Sequence, residues 1–600
     1  MTEPEVMNEA PAEAPTVDNE PSLDLDFVTD NQANTTWKST LGTAFSCFFV
    51  VIATVLGTGI LALPVKVGET GFGPFVTNFF ICFVAQAFIL IYMVELLQKT
   101  FALQSTSLDL EQQIPEEPDA PLHGLPHSNI TAEKNANTDT NEDTLNSSVE
   151  DQEMEEIELE DPKDKKKTST KVSVKLSSPR TANKFLSQGP DLHTMGKFFL
   201  NKYARVIFEA SVILHFISIL ISYSIAGPSS YAKIVETLYN INSSGDSYDS
   251  IARRIFVFFI APFIILWALV VIFANGPITK IISIATFIKG SLLVTMVVMT
   301  GFISAKVKQG FTDNWQYIGR PFLIGTVALG GAMNTLPIIY SKMRPTRRNL
   351  QFFRWSAVLA LFVCFLLNVL WCFFVLEIVP QRSDNPEDPT LERAHRDEEI
   401  SIVPVIEIIN KRFPSFTWLG IFVQVFISIS ITVSFITMST GMKHMLDGYV
   451  KSFASAQNNP VSVVSRITKW LISKSRVLWF LKEEQTAERR VTLLFQFLLY
   501  FIFFALILIF AQVNYKGFLS VMEIFTSMAL NLESGLFVAF MLWQSRRPRF
   551  NNEELKMMMV LPLPNWAVHT LWIVGAYFLF AVIYDIVYTI LRLTITNLPF

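Results

Sequence analysis

Long apolar runs dominate the order of hydrophobic and polar positions along the chain. Eleven stretches reach roughly 18 or more largely apolar residues, the length that crosses a hydrocarbon core as a helix. These runs do not alternate apolar and polar residues as the strands of a membrane β-barrel do. Backbone polar groups within lipid must form hydrogen bonds within the chain, which favours helices. The predicted spans, one to eleven, are 41–63, 74–97, 204–226, 254–274, 278–303, 320–341, 352–378, 416–438, 491–513, 517–543 and 566–592. The pattern predicts an all-α polytopic membrane protein.

The composition of the 600 residues agrees with this prediction and excludes several classes of protein. Half of the residues are hydrophobic and 17% are charged, against about 25% charged in soluble domains. The four cysteines all lie in apolar runs, so the sequence indicates neither a disulfide framework nor a thiolate metal site. A net charge of -5 disfavours nucleic acid as a partner. Because no nucleotide, metal or nucleophile motif stands out, neither an enzyme nor a cofactor is expected.

Polar segments divide the chain around the spans. Residues 1–40 form an acidic tail that is predicted to be disordered. Because its first residues lack the basic region of a signal peptide, it is not expected to be cleaved. Spans one and two occupy 41–97, and spans three to eleven occupy 204–600. Between them, 98–203 is predicted to be a disordered loop, acidic and then basic, whose basic half either rests on anionic lipid or is a solvated insert. Basic and apolar residues at helical spacing predict an interfacial helix near 461–481.

The distribution of Lys and Arg predicts the orientation in the membrane. After span six, the segments 342–354, 439–490 and 544–565 carry eighteen of these residues, against six in the alternate segments 379–415, 514–516 and 593–600. Basic loops remain in the cytoplasm, so the N-terminus is expected there and the C-terminus on the far side. A glycosylation sequon at Asn242 then falls on the far side, between spans three and four.

Two spans contain residues that make a poor continuous helix. Span one includes Gly57–Pro64, with two glycines around a threonine, and span six includes Gly325–Asn334, followed by Pro337. A break within the membrane leaves backbone groups unpaired, which is tolerated where they line a cavity or bind something. Two such spans, five apart, are the sequence sign of an inverted-repeat transporter. The alternative is close helix packing through small residues.

These segments, with the cytoplasmic N-terminus and the eleven spans, resemble the amino acid/auxin permease family of the amino acid–polyamine–cation superfamily. The long acidic loop, Met195–Lys202 and the Leu336-Pro337 end of span six are most similar to its transmembrane protein 104 branch. The resemblance covers most of 40–590. It implies a five-plus-five inverted repeat with broken helices one and six, plus one extra helix. It also implies secondary transport of amino acids, driven by protons or sodium.

Lys289, near the middle of span five, is the main candidate for coupling transport to an ion. A charge at mid-helix costs roughly 2.5–3.5 kcal/mol, so its presence needs a reason. In some proton-coupled members of the superfamily, a span-five lysine takes the place between spans one and eight where sodium-coupled relatives bind the ion. Burial disfavours the charged amine, so Lys289 can load and release a proton. The alternative is a permanent tie to backbone carbonyls.

Other polar side chains within the spans are weaker candidates. His215 on span three either relays protons or is a hydrogen-bonded structural histidine. Ser428 and Thr432 on span eight either complete a sodium shell, as in sodium-coupled relatives, or bond to their own helix. Glu95, at the end of span two, is expected to face the headgroups, whereas Glu533 lies deeper in span ten.

Taken together, the sequence predicts a proton-coupled secondary carrier for an amino acid or similar zwitterion. The substrate carboxylate would meet the amides of Gly57, Thr58 and Gly59, and its amino group the carbonyls of Gly330 and Gly331. The alternatives are a sodium-coupled carrier, or an amino acid sensor that signals through the long loop. Besides the substrate, membrane lipid is an expected partner, and the sequence indicates no particular protein partner. Lysosomal, vacuolar and plasma membranes all remain open.

Overall fold

The structure is a computed structural model in which part of the chain is described. The described residues are 33–57, 59–112, 189–238, 246–273, 278–343, 345–386, 388–397, 400–413, 417–458, 466, 484–513, 521–550 and 559–594. Thr58, Asn242, most of the acidic tail and nearly all of 461–481 lie outside this set, so the predictions for them stay predictions. One compact unit comprises Met1–Ser105 and Leu186–Phe600. The second, Thr106–Phe185, is described only as far as Gln112.

All regular secondary structure in the described residues is helical. Spans one to five are Ala33–Val55 with Gly59–Thr70, Phe72–Gln112, Lys202–Leu238, Asp246–Phe273 and Ile278–Val307. Spans six to nine are Arg320–Leu329 with Leu336–Tyr340, Arg347–Ile378, Thr417–Asn458 and Glu484–Val513. Span ten consists of Val521–Thr526, Ser527–Leu530, Asn531–Phe537 and Val538–Gln544, and span eleven is Asn565–Thr594. Shorter helices are Leu192–Phe199, Trp315–Tyr317, Ala332–Asn334, Leu391–Arg396, Ile402–Arg412 and Pro548–Phe550.

The described helices are long and apolar enough for a multi-pass membrane protein. Nine of them qualify individually, and the bent pair in span one makes a tenth. Span four contributes a shorter apolar segment, Val257–Phe273. The predicted all-α polytopic architecture is therefore confirmed, whereas the internal five-plus-five repeat stays a prediction.

Burial separates the central spans from those at the periphery. In span six, 94% of the most apolar stretch is buried, against 22% in span nine and 28% in span eleven. A membrane helix that is apolar all round can present side chains to lipid, so low burial is compatible with these outer positions. Span six is thus enclosed by protein along its length, and any site on it is shielded from lipid.

Two helical segments extend into the region 98–203 that was predicted to be disordered. The helix of span two continues to Gln112, and Leu192–Phe199 forms a separate helix before span three. Asp191 caps this helix by accepting a hydrogen bond from the Thr194 amide at 2.7 Å. Both boundaries differ from the sequence expectation because local caps and packing, which composition does not reveal, order these residues.

Glu95 is buried rather than facing headgroups. Its two carboxylate oxygens each accept a hydrogen bond from Nη2 of Arg546 at 2.9 Å, and Lys99 Nζ lies 3.0 Å from Oε1. The amide of Leu563 donates to Oε2 at 2.9 Å. These contacts hold one end of span two against the segments that end span ten and begin span eleven. The expectation was wrong because the cations that neutralise Glu95 come from distant sequence as well as from its own helix.

Replacing Glu95 by Gln should destabilise this junction. The change leaves Lys99 and Arg546 without their carboxylate, and breaking a buried pair costs about 3 kcal/mol or more. Thermal unfolding in detergent should show a lower midpoint for Glu95→Gln than for the unaltered protein. Glu392→Gln is the matched control, because Glu392 is exposed and its nitrogen–oxygen distance to Arg382 is 4.0 Å. Equal midpoints for the two variants would contradict the structural role of Glu95.

Candidate functional site

The helix of span one is interrupted in the middle of the predicted membrane segment. Its first half ends at Val55 and its second half begins at Gly59, with a bend of 49° between them. The amide of Gly57 donates to the carbonyl of Val55 at 2.8 Å instead of to that of Ala53 four residues earlier. The break therefore releases the Ala53 carbonyl from the helical hydrogen-bond pattern.

Span six is interrupted at the corresponding pair of glycines. The first half ends at Leu329, and the chain then passes through Gly330, Gly331 and a single 3₁₀ turn, Ala332–Asn334, before Leu336–Tyr340. Gly331 has a φ of 83°, in the left-handed region that a residue with a side chain rarely adopts. The glycine is thus required by the backbone of the break and is more than a small packing residue.

The two breaks face each other across the core. A Cβ atom added at Gly59 would lie 2.7 Å from the Cα atom of Ala328, so only glycine permits this approach of the half-helices. The hydroxyls of Thr54 and Thr335 lie 3.2 Å apart. Of the five residues predicted to bind substrate, the structure brings Gly59, Gly330 and Gly331 into this region. Gly57 also belongs to it, against the Tyr223 hydroxyl, whereas Thr58 lies outside the described residues.

The break in span six leaves room for a small side chain and adjoins a cavity. The nearest atoms to a Cβ added at Gly331 would be Cγ2 of Thr54 at 3.6 Å and Cε1 of His215 at 4.0 Å. A cavity of about 290 Å³ extends from Thr335 between spans one, five, six and eight, as far as Lys342. The walls of this cavity include Ser46 and Thr437. The cavity therefore reaches the end of the break in span six, at Thr335, from one side.

Lys289 lies at the break in span one. Its buried Nζ atom donates to the Ala53 carbonyl at 3.1 Å and to the Ser434 hydroxyl at 2.7 Å. Ser434 itself lies 3.1 Å from the same carbonyl. The released carbonyl of span one, the lysine of span five and a hydroxyl of span eight thus form one hydrogen-bonded cluster.

The span-eight hydroxyls selected from the sequence lie elsewhere. Ser428 hydrogen bonds to Ser230 at 2.8 Å, and Thr432 hydrogen bonds to Tyr231 at 2.8 Å, so both join span eight to span three. Residues four apart share a helix face, whereas Ser434 is two residues beyond Thr432 and faces another way. The sequence showed that hydroxyls line this span, but it did not reveal which face meets Lys289.

His215 forms a second buried polar cluster with residues of spans six and ten. Its Nδ1 atom makes a short hydrogen bond with Oε1 of Glu533. Nδ2 of Asn334 lies 2.9 Å from the same oxygen and 3.0 Å from Nδ1 of His215. If the imidazole donates its Nδ1 hydrogen to the carboxylate, the Asn334 amide must donate to Glu533 rather than to His215. The sequence treated Glu533 only as a deep acid, without a partner.

No group of three or more His, Cys, Asp or Glu side chains able to hold a metal ion occurs among the residues the structure describes. The polar groups at the breaks are instead backbone amides and carbonyls, hydroxyls, one lysine and the cluster around Glu533. Such groups can bind a small polar molecule through hydrogen bonds and charge.

Comparisons with known proteins show a distant likeness in structure alone. No family model matches the chain, and no curated protein matches its sequence. A mutant of the Eremococcus coleocola manganese transporter is similar with a TM-score of 0.48 and 10% identity, over 96% of this chain and 92% of that one. The same transporter in complex with an aromatic bis-isothiourea compound is similar with a TM-score of 0.45 and 11% identity, over 96% of this chain and 93% of that one. TM-scores below 0.5 do not establish a common fold, so these proteins imply nothing about this chain's substrate.

A side chain at Gly331 should destabilise the break although space is available for it. Gly331→Ala forces alanine into the left-handed region, at a cost of about 1–2 kcal/mol. Gly290→Ala is the matched control, because a Cβ added at Gly290 would also meet no clash, but Gly290 sits inside the helix of span five. We expect thermal unfolding in detergent to show a lower midpoint for Gly331→Ala and an unchanged or higher one for Gly290→Ala. An unchanged midpoint for Gly331→Ala would contradict the strained backbone.

Proposed function

We propose that this protein is a secondary active transporter of amino acids or similar small zwitterions that works by alternating access. The observation that carries the proposal is the pair of facing helix breaks in spans one and six. Backbone groups released inside a membrane protein are costly unless they line a cavity or bind a ligand. Two such breaks, placed five spans apart and meeting in the core, are the arrangement in which transporters hold a substrate near the middle of the membrane.

The chemistry of the two breaks suits a zwitterion. The second half-helix of span one begins at Gly59, and the amides at a helix N-terminus attract a carboxylate. The first half-helix of span six ends at Leu329, and the carbonyls at a helix C-terminus, with those of Gly330 and Gly331 beyond it, attract an ammonium group. A substrate that carries both charges within a few ångströms can meet both helix ends together.

Access from one side supports alternating access. The cavity of about 290 Å³ reaches the break from the side on which span one begins. This volume is near the lower end of the range for small-molecule sites, which starts at about 300 Å³. On the opposite side, Ser401 donates from its amide (3.0 Å) and its hydroxyl (2.7 Å) to the Leu61 carbonyl, tying a connecting segment over span one. Transport would require this tie to open as the cavity closes.

The position of Lys289 favours protons over sodium as the coupling ion. The Ala53 carbonyl and the Ser434 hydroxyl are oxygen atoms of the kind that sodium uses as ligands, and the ammonium group of Lys289 contacts both. The positively charged ammonium group of Lys289 therefore already occupies the position that a sodium ion would take. Loss of a proton from Lys289 would weaken the link between spans one and eight, which gives proton release a direct mechanical consequence.

Substitution of Lys289 should separate transport from its driving force. Lys289→Ala should remove the dependence of amino acid uptake on a pH gradient in liposomes, while exchange at equal pH can survive. Lys289→Arg should stall the cycle, because guanidinium does not deprotonate in proteins. Lys443→Arg is the matched control: Lys443 also donates to backbone carbonyls, those of Val271 and Ile272 at 3.0 and 3.1 Å, but away from the break in span one.

The outcomes distinguish the competing functions. Uptake driven by a sodium gradient at constant pH would favour a sodium-coupled carrier. Full pH-driven uptake by Lys289→Arg would make Lys289 a structural tie. A purified protein that binds an amino acid but moves none in any gradient would be a sensor, and the transport proposal would then be wrong.

A further inference from the structure

Two hydrogen-bond acceptors in the cluster of His215, Asn334 and Glu533 are not used within it. Oε1 of Glu533 accepts from Asn334 and His215, whereas Oε2 of Glu533 and Oδ1 of Asn334 have no hydrogen-bond partner among the described residues. The side chains of Glu533 and Asn334 are almost completely buried. A buried acceptor left unpaired costs about 1–3 kcal/mol, so a ligand that supplies hydrogen-bond donors to both would be favoured here.

The charge of the cluster indicates that this ligand is a cation. Within the described part of the chain, His215 is the one basic side chain at ion-pair distance from Glu533. A carboxylate in the protein interior is favoured by a nearby positive charge, which a cationic ligand can supply. An ammonium group has three donors and no acceptor, and so matches a carboxylate oxygen and an amide oxygen together.

The cluster adjoins the break in span six, where the substrate is proposed to bind. Asn334 belongs to the break itself, and Cε1 of His215 lies 4.0 Å from the position of a Cβ added at Gly331. Glu533 projects from a π-helical segment of span ten, Asn531–Phe537. Such segments displace side chains from regular helical positions and occur frequently at functional sites. The cluster therefore lies directly beside the place at which the substrate is proposed to bind.

We propose that Glu533 and Asn334 form a side-chain subsite that selects amino acids with a cationic side chain. This inference rests on the proposed function, which assigns the α-amino and carboxylate groups of the substrate to the breaks and leaves its side chain free to reach the cluster. The terminal ammonium of a lysine-like substrate donates to Oε2 of Glu533 and Oδ1 of Asn334 and balances the buried charge. A neutral side chain of the same length leaves both acceptors unpaired.

Lysine and norleucine provide the test, because they have side chains of equal carbon number and differ in the terminal ammonium. The full-length protein in liposomes should take up lysine at least about tenfold better than norleucine at equal concentration, as expected for one or more charged hydrogen bonds. Glu533→Gln, which preserves the shape of the side chain, should abolish that preference, measured as the ratio of lysine uptake to norleucine uptake. The ratio of the two substrates is the measurement, since a general loss of active protein lowers both uptakes equally.

Asp585→Asn is the matched control. Asp585 is also fully buried, but it accepts from Ser527 at 2.9 Å and Asn531 at 3.2 Å, away from His215. This variant should keep the preference for lysine. Loss of the preference in Asp585→Asn, or its retention in Glu533→Gln, would overturn the assignment.

If Glu533→Gln does not fold, uptake of lysine and norleucine by the unaltered protein still tests the inference. Uptake of norleucine as good as that of lysine would overturn the cationic subsite while leaving amino acid transport intact. Folded protein that moves neither substrate, nor any other amino acid, in a pH or sodium gradient would instead refute the proposed function. The two failures are therefore distinguishable.

Discussion

The structure depends on the requirement that backbone polar groups inside a membrane protein find partners. Every uninterrupted span meets this requirement through its own helix, whereas spans one and six do not. At span one, the turn at Gly57 releases the Ala53 carbonyl, and Lys289 and Ser434 satisfy it. At span six, Gly331 adopts a left-handed conformation and leaves room beside its Cα atom. The two interruptions therefore place backbone polar groups from two spans close together in the core.

Buried acids serve two different purposes in this protein. Glu95 is neutralised by Lys99 and Arg546 and also accepts a backbone hydrogen bond, so its charge and both its oxygens are used in joining helices. Glu533 has one imidazole for a basic partner in the described residues and keeps one oxygen unpaired. A compensated acid stabilises the fold, whereas an acid that keeps one oxygen unpaired is suited to accept a further hydrogen bond.

Burial distinguishes the enclosed span six from the outer spans nine and eleven. Span six is enclosed almost completely, and spans nine and eleven present most of their apolar stretch outward. The clusters around Lys289 and Glu533 both join spans that are distant in sequence through hydrogen bonds near the breaks. Such bonds can exchange partners when a ligand or proton arrives, while the apolar outer contacts persist.

The sequence by itself determined the helical class, most of the spans and the location of both breaks, because these follow from apolar run length and from the backbone properties of glycine and proline. It also singled out Lys289, because a charge within an apolar run needs compensation. Only the tertiary structure decided the partners: Ser434 rather than Ser428 or Thr432 for Lys289, and Glu533 for His215, 318 residues away. Side-chain pairing depends on which helix faces meet, and helices that are apolar on nearly every side carry little periodic signal to indicate those faces.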